Sequence, residues 1–360
     1  MTSNVRVLVV EDSLTIRKHL VEVLSSAPGL EVAGEASDGK VAIELCQRLR
    51  PDVVTMDMML PVMTGVAATE YIMAYCPTPI LIVSASTNRG ELFKTYDALA
   101  AGAVDVLEKP LSTGPDEDWE ERLIGAVRMV SRIRVITHPR ARLGRLGKSG
   151  PTEQSTPSVP SSDDRRIVAV GASTGGPGAL LTIFSALPKD FSLPILLVLH
   201  ISEPFSLALA EWLDAQLPQE VRYAVDGEPI PTPGRGCVLM APPDRHLEVV
   251  EGQLRLSDGA ERHSCRPSVD VLFESLAREM GTQTIGCLLT GMGRDGAKGL
   301  LAIKESGGLT IAQDEATSVV FGMPGEAIKL GGATRILPLT DIAPMIVRAA
   351  TPATRQETRK

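Results

Sequence analysis

From residue 1 to about 125, short apolar β-branched runs alternate with amphipathic stretches: VRVLVV, SLTIRKHLVEVLSS, VAGEAS, GKVAIELCQRLR and VVTMD, then ILIVSAS, ELFKTYDALAAG and VDVLEKP. Runs this short, rich in Val and Ile and bounded by turn residues, read as buried strands; the longer stretches carry the period of helices. The alternation predicts βα units on a parallel sheet of about five strands. A second rhythm begins at RIVAVG and continues through PILLVLH, CVLMAPP, SVDVLFESLAREM, TIGCLLTG, LTIAQD and the closing helix DIAPMIVRAA. The pattern therefore predicts an α/β chain of two doubly wound parallel-sheet domains, spanning 1–125 and 165–350, with a linker over 126–164 and a frayed tail over 351–360. Residues 123 to 152 hold seven basic residues and no acidic one, and SGPTEQSTPSVPSSDD follows, rich in Ser, Pro and Thr. Such a stretch reads as a flexible connection whose charges are solvated.

Composition narrows the function classes. The chain has 360 residues, 44% hydrophobic and 22% charged, as folded soluble domains do, but only 3% aromatic, so its cores are built from Val, Leu, Ile, Ala and Met. A net charge of -8 argues against nucleic acid as a partner. The five cysteines (Cys46, Cys76, Cys237, Cys265, Cys287) are scattered without a C-x-x-C pair, which suggests neither disulfides nor a zinc framework and fits reduced cytosol. The apolar run Val7 to Val10 is too short for a signal core or a membrane span. A cytoplasmic protein without membrane insertion is the expectation.

Parallel α/β sheets collect their chemistry at the carboxyl ends of strands. In the first half those ends carry Glu11 and Asp12 after VLVV, Asp57 after VVTM, Ser84 after LIV and Lys109 after VDVLE. Wet strand ends often carry single polar residues, but all four ends together describe one site. Glu11, Asp12 and Asp57 form an oxygen donor set suited to Mg²⁺, and Lys109 would balance a phosphoryl oxygen. These features, with D-x-x-x-P-x-x-x-G from Asp57 through Pro61 to Gly65, S-A at 84 and 85 and K-P at 109 and 110, resemble the receiver domain of bacterial response regulators over about residues 4 to 122. The resemblance implies a flavodoxin-like fold with Asp57 as phosphoryl acceptor, Glu11 and Asp12 helping to hold Mg²⁺, Ser84 as the switch hydroxyl and Lys109 paired with the acyl phosphate. It also implies a histidine kinase as partner. Val106 stands where such domains usually place an aromatic residue.

In the second half, Gly171-Ala172-Ser173-Thr174-Gly175-Gly176 follows the strand IVAV and satisfies G-x-S-x-G, whose glycines permit the sharp turn that presents a serine hydroxyl. The helix that follows would offer N–H groups to an oxyanion. The competing reading, a dinucleotide-binding loop, wants an acid at the end of the next strand. That strand, PILLVL, ends instead in His200, a group suited to deprotonating a serine. Of the other histidines, His19 falls on a helix of the first domain, His138 in the linker, and His246 and His263 in loop-like stretches. Two strand-end aspartates compete to orient His200, Asp295 and Asp314, and either could instead cap a helix; spacing does not separate them.

The second half, from about 165 to 348, resembles the catalytic domain of the protein-glutamate methylesterases of bacterial chemotaxis, the CheB family. The residues that carry this are GASTGGP at 171–177, the strand ending at His200, AP-x-D-x-H from Ala241 to His246, RPSVDVLF at 266–273, LTGMGRDGA at 289–297 and FGMP at 321–324. The resemblance implies a Rossmann-like domain in which Ser173 is the nucleophile, His200 the base and Asp295 the orienting acid, with Thr174 and Met292 near the oxyanion site. It implies no cofactor for the hydrolase, a methyl-accepting chemoreceptor as substrate, methanol as product, and deamidation of glutamine by the same attack. Leu199 stands where the family commonly has Gln, and Cys265 where it often has His. A protein that kept this fold as a binding module would need Asp57 but not Ser173.

Overall fold

The computed structural model describes residues 4–85, 88–110, 116–133, 135, 165–201, 204–234 and 236–351, which form two compact units. Residue 134, residues 136–164 with His138, and the tail from 352 lie outside the described residues, so most of the expected linker does too.

In the first unit, β1 (Val5–Val10), β2 (Leu30–Ala36), β3 (Val53–Met56), β4 (Ile80–Ser84) and β5 (Asp105–Glu108) form a parallel sheet in the order β2-β1-β3-β4-β5. The five strands match the expectation from the alternation. Helices α1 (Leu14–Ser26), α2 (Gly39–Leu49), α3 (Gly65–Tyr75), α4 (Arg89–Ala100) and α5 (Glu117–Val130) connect or close it. Their starts are fixed locally: Asp38 accepts from the Lys40 and Val41 N–H groups at the head of α2, and Asp116 accepts from Trp119 N–H at the head of α5. Helix α5 continues to Val130, beyond the boundary expected at residue 125. Its buried residues Trp119, Leu123, Val127 and Val130 fall on one face at helical spacing, and each apolar side chain buried there stabilises the helix by about 1.5–3 kcal/mol. Arg128, expected in the linker, is therefore on this helix and donates to Pro28 O.

The second unit holds β6 (Ile167–Ala172), β7 (Ile195–Leu199), β8 (Glu220–Tyr223), β9 (Cys237–Met240), β12 (Thr284–Leu288), β13 (Leu309–Gln313) and β14 (Arg335–Leu337) in one parallel sheet ordered β14-β13-β12-β6-β7-β9-β8. A separate antiparallel hairpin, β10 (His246–Val250) with β11 (Gln253–Ser257), was not expected from the sequence. The helices are α6 (Gly176–Ala186), α7 (Leu209–Gln216), α8 (Val269–Glu279), α9 (Ala297–Glu305), α10 (Met323–Lys329) and α11 (Leu339–Ala350). The core between sheet and helices is aliphatic, with Ile167, Leu196, Val198, Leu239, Leu272, Leu288, Leu300 and Ile303 all at 0% exposure. The low aromatic content is thus compatible with tight packing.

Topology positions the chemistry. The chain leaves β6 towards β7 and later returns to the other side of β6 with β12, so the carboxyl ends of β6 and β12 flank the point where strand order reverses. In the first sheet the same reversal lies between β1 and β3.

Candidate active site

In the first unit the ends of β1, β3 and β5 bring Glu11, Asp57 and Lys109 together. Lys109 Nζ lies 2.9 Å from Glu11 Oε2 and 3.0 Å from Asp57 Oδ1, with Glu11 and Asp57 almost fully buried. Burial, then the Asp57 charge, pushes the Glu11 carboxyl up to about 7 although Lys109 opposes it. For Lys109 burial works against the charge, but the two carboxylates prevail and raise its pKa. Among the described residues Asp57 Oδ2 is buried with no hydrogen-bond partner, and single oxygens of Glu11, Asp12 and Asp57 lie within 4.8 Å of one another. An orphaned carboxylate oxygen in an all-oxygen set fits a hard divalent cation. Ser84 is buried at the end of β4, its hydroxyl donating to Ala85 O at 3.3 Å, and Lys109 N–H bonds Ser84 O. The structure thus brings all the residues singled out in this half to one sheet edge. Val106 is buried.

In the second unit, Ala172 and Leu199 are register partners on β6 and β7, and His200 N–H donates to Ala172 O at 3.0 Å, so Ser173 and His200 leave adjacent strand ends side by side. Ser173 N–H donates to Thr290 O, which ties the turn to the loop after β12. Close approach there depends on glycine: a Cβ on Gly291 would lie 2.3 Å from Met323 Sδ and 2.8 Å from Ser173 Cβ. Gly175 at φ +76° caps α6 in the left-handed region, where a Cβ would strike Val319.

Asp295 sits in that same loop and is buried. Its carboxylate accepts from Ser268 Oγ at 2.7 Å, from Val269 N–H at 2.7 Å and from Asp270 N–H at 3.1 Å, so it also closes the N-terminus of α8. His200 Nε2 lies 2.9 Å from Asp295 Oδ2. The ring N–H does not point along this line, since Nε2 is buried without a well-directed hydrogen bond; the contact is an ion pair. The other ring nitrogen, Nδ1, faces Cys265 Sγ at 3.8 Å. Burial pulls the imidazole pKa down, yet Asp295 and Cys265 outweigh it and raise it to about 9. For Asp295 burial acts upwards, but His200, Ser268 and Asp270 hold the carboxyl below its usual range. Among the described residues the Ser173 hydroxyl makes no hydrogen bond to His200.

Asp314, the competing aspartate, is used locally: its Oδ1 accepts from Thr317 N–H at 3.0 Å and Thr317 Oγ1 at 2.6 Å. His246 is not in a loop. It opens β10, is buried, and its Nδ1 accepts from Ser268 N–H. His263 is in a turn at φ 52°, bonded to Asp270 at 3.1 Å and to Arg294 Nε at 3.1 Å. The N–H groups of Thr174 and Met292 donate to nothing within the described chain, and the Met292 side chain is exposed. Ser268 and Cys265 were missed as site residues in the sequence. Ser268, directly ahead of an apolar helical run, carried the local signal of an N-cap, and Cys265 was marked only by standing where the resembled family often has His.

A family model described as CheB methylesterase matches residues 168–346, and one described as response regulator receiver domain matches residues 7–115. A protein from Nitrosospira multiformis named protein-glutamate methylesterase/protein-glutamine glutaminase is 43% identical over 360 residues, covering 99% of each chain. This chain belongs to the CheB methylesterase family. A second relative of the same name from Anaeromyxobacter dehalogenans is 43% identical over 338 residues, covering 94% of this chain and 95% of its own. A crystal structure of the Thermotoga maritima CheB methylesterase catalytic domain is 39% identical, with a TM-score of 0.48, covering 51% of this chain and 98% of that one. The CheB methylesterase match takes in Ser173, His200 and Asp295, and the receiver match takes in Glu11, Asp57, Ser84 and Lys109.

Proposed function

We propose that this chain is a phosphorylation-controlled serine hydrolase that demethylates γ-glutamyl methyl esters on a chemoreceptor and deamidates glutaminyl side chains at the same site. The observation that carries the reading is the convergence of Ser173 and His200 on paired strand ends, with Asp295 2.9 Å from the imidazole. Ser173 Oγ attacks the ester carbonyl while His200 accepts its proton. The C–O bond to methanol then breaks as His200 returns that proton to the leaving methoxide. Water, deprotonated by His200, attacks the acyl-enzyme, the bond to Ser173 Oγ breaks as His200 returns the proton to it, and the receptor leaves with a free glutamyl carboxylate. For a glutamine side chain ammonia leaves in place of methanol. Asp295, fixed by Ser268 and two backbone N–H groups, stabilises the imidazolium formed in each half. Unoccupied N–H groups at Thr174 and Met292 supply donors for the oxyanion. Catalytic hydrogen bonds are often loose before substrate tightens them, which accommodates the unmade Ser173–His200 bond. A cavity of about 410 Å³ is lined by Leu199 and Ile201, the chain neighbours of His200, with Tyr223, Met240 and Arg266 among others.

In the receiver, Asp57 accepts the phosphoryl group from a histidine kinase. Glu11, Asp12 and Asp57 would hold Mg²⁺, which when bound supplies positive charge beside the phosphoryl oxygens. Lys109 shifts its ion pair to the new charge and Ser84 turns its hydroxyl to it, moving the receiver between two states. Among the described residues no helix is long and apolar enough to cross a membrane, and we place the enzyme in the cytoplasm, acting on the receptor's cytoplasmic region. The test is methanol release from methyl-labelled receptor membranes with and without a small phosphodonor and Mg²⁺. Release that the phosphodonor accelerates supports the reading; none in either condition leaves a binding module.

A further inference from the structure

The hydrolase centre holds a third donor that the proposed chemistry does not use. Cys265 Sγ lies 3.8 Å from His200 Nδ1, and with one ring nitrogen, one Asp295 oxygen and Sγ chosen as donors, all three atoms lie within 4.8 Å of one another. Tetrahedral zinc bonds S at about 2.3 Å and N or O at about 2.0–2.2 Å, which separates its ligands by about 3.5 Å, so the trio closes on an ion with shifts of about 1 Å. Sulfur, imidazole and carboxylate together select zinc over the hard cations that suit the receiver's oxygens. The set is also supported from behind. Asp295 is oriented by Ser268 Oγ and the Val269 and Asp270 N–H groups, as outer partners orient metal ligands. The neighbouring His263 and Asp270 also lie within reach of Asp295, but that trio offers no thiolate and Arg294 Nε donates to His263 Nδ1, so the set with Cys265 is the better match to zinc.

We infer that Cys265, His200 and Asp295 form a zinc-binding site whose occupation shuts off the hydrolase. Zn²⁺ displaces two protons to water, one from the Cys265 thiol and one from the His200 imidazolium; the S–Zn bond forms, and the nitrogen lone pair set free on His200 binds the metal. No bond to substrate is made and no oxidant is needed; the loss of the imidazole as base is what stops turnover. This inference rests on the serine-hydrolase reading for its inhibitory consequence but not for the binding site.

The experiment uses full-length protein freed of metal, kept reduced with a phosphine rather than a thiol, and saturated with Mg²⁺ to occupy the receiver. Zn²⁺ is titrated against methanol release, and Co²⁺ is added separately as a spectroscopic probe. The parent should lose activity as zinc is added and should show the sulfur-to-cobalt charge-transfer band. Cys265→Ser, and Cys265→Ala in case the first folds poorly, should lack that band. Measured against their own metal-free rates, both should need at least about tenfold more zinc for half-inhibition, since even outer partners of a metal are worth that much. A parent without the band, variants as zinc-sensitive as the parent, or activation by zinc would each overturn the inference. Absence of methanol release from metal-free parent would instead overturn the hydrolase reading, while the cobalt band would still decide the site.

Discussion

Asp295 faces His200 across 2.9 Å and at the same time accepts the Ser268 hydroxyl and the first N–H groups of α8. One carboxylate thus orients an imidazole and closes a helix. A helix N-terminus favours negative charge, so the anion stays ionised although burial opposes it. The base is fixed through an element rather than a loop tip.

Replacing Asp295 by Asn removes the charge that faces His200 and stabilises the imidazolium formed in turnover. Methanol release should fall by about 10⁴-fold, the size of loss seen when an orienting carboxylate becomes an amide. Asp314→Asn should leave the rate near the parent's, because among the described residues the Asp314 carboxylate is hydrogen-bonded within its own turn, to Thr317. Steady-state rates of the two variants on one methylated substrate check this; similar losses in both would remove Asp295 from its role.

The pH profile follows from the direction of the His200 shift. The base must be neutral, and its pKa is raised from 6.5 to about 9, so methanol release should climb with pH, reach half its plateau near 9 and level off only above that. Cys265→Ser removes one of the groups that raise it, and the climb should move to lower pH. For stability the raised group contributes fully below pH 6.5, and the contribution is lost as pH rises through about 9. Asp295, whose pKa is depressed, contributes above its unfolded value and loses its contribution as pH falls through the folded one. Rate profiles from about pH 6 to 11 test the His200 sign, and thermal melts of parent and variant carried from there down to about pH 2 test the Asp295 sign as well.

Strand ends were where the sequence spoke most clearly. Glu11, Asp57, Lys109, Ser173 and His200 each follow an apolar run, and a parallel sheet gathers such positions at one edge, so pattern alone placed them. Asp295 and Asp314 both follow strands too, and no local pattern distinguishes an acid that turns towards the next element from one that closes its own turn. Cys265 and Ser268 reach the site through the segment ahead of α8, more than sixty residues along the chain from His200, where no periodicity reports contact. His246 read as loop because β10 is short and its partner is a hairpin strand outside the main sheet. The end of α5 was missed because its basic residues suggested linker, while Val127 and Val130 continued the buried face.

In the receiver, Lys109 neutralises two buried carboxylates at once. Lys109→Ala leaves Asp57 and Glu11 without their cation; Glu11, already pushed up to about 7, takes up a proton, so the domain should be destabilised by less than the roughly 3–5 kcal/mol of a fully uncompensated buried pair. Mg²⁺ should restore more stability to this variant than to the parent, because a cation held by Glu11, Asp12 and Asp57 takes over the neutralisation. Denaturant unfolding of both proteins with and without Mg²⁺ checks it; equal stabilisation would mean the ion does not take over from Lys109, and no stabilisation of either would mean the acidic residues do not hold the ion.

The nucleophile carries the central claim. Ser173→Ala removes one hydroxyl from a tight turn whose backbone bonds to Thr290 and Gly176 remain, so folding should be nearly unchanged. Methanol release from methyl-labelled receptor membranes, measured with phosphodonor and Mg²⁺ alongside the thermal unfolding midpoint, is the direct test. The account predicts release no higher than the enzyme-free blank from a variant that melts with the parent, and substantial release from that folded variant would contradict it.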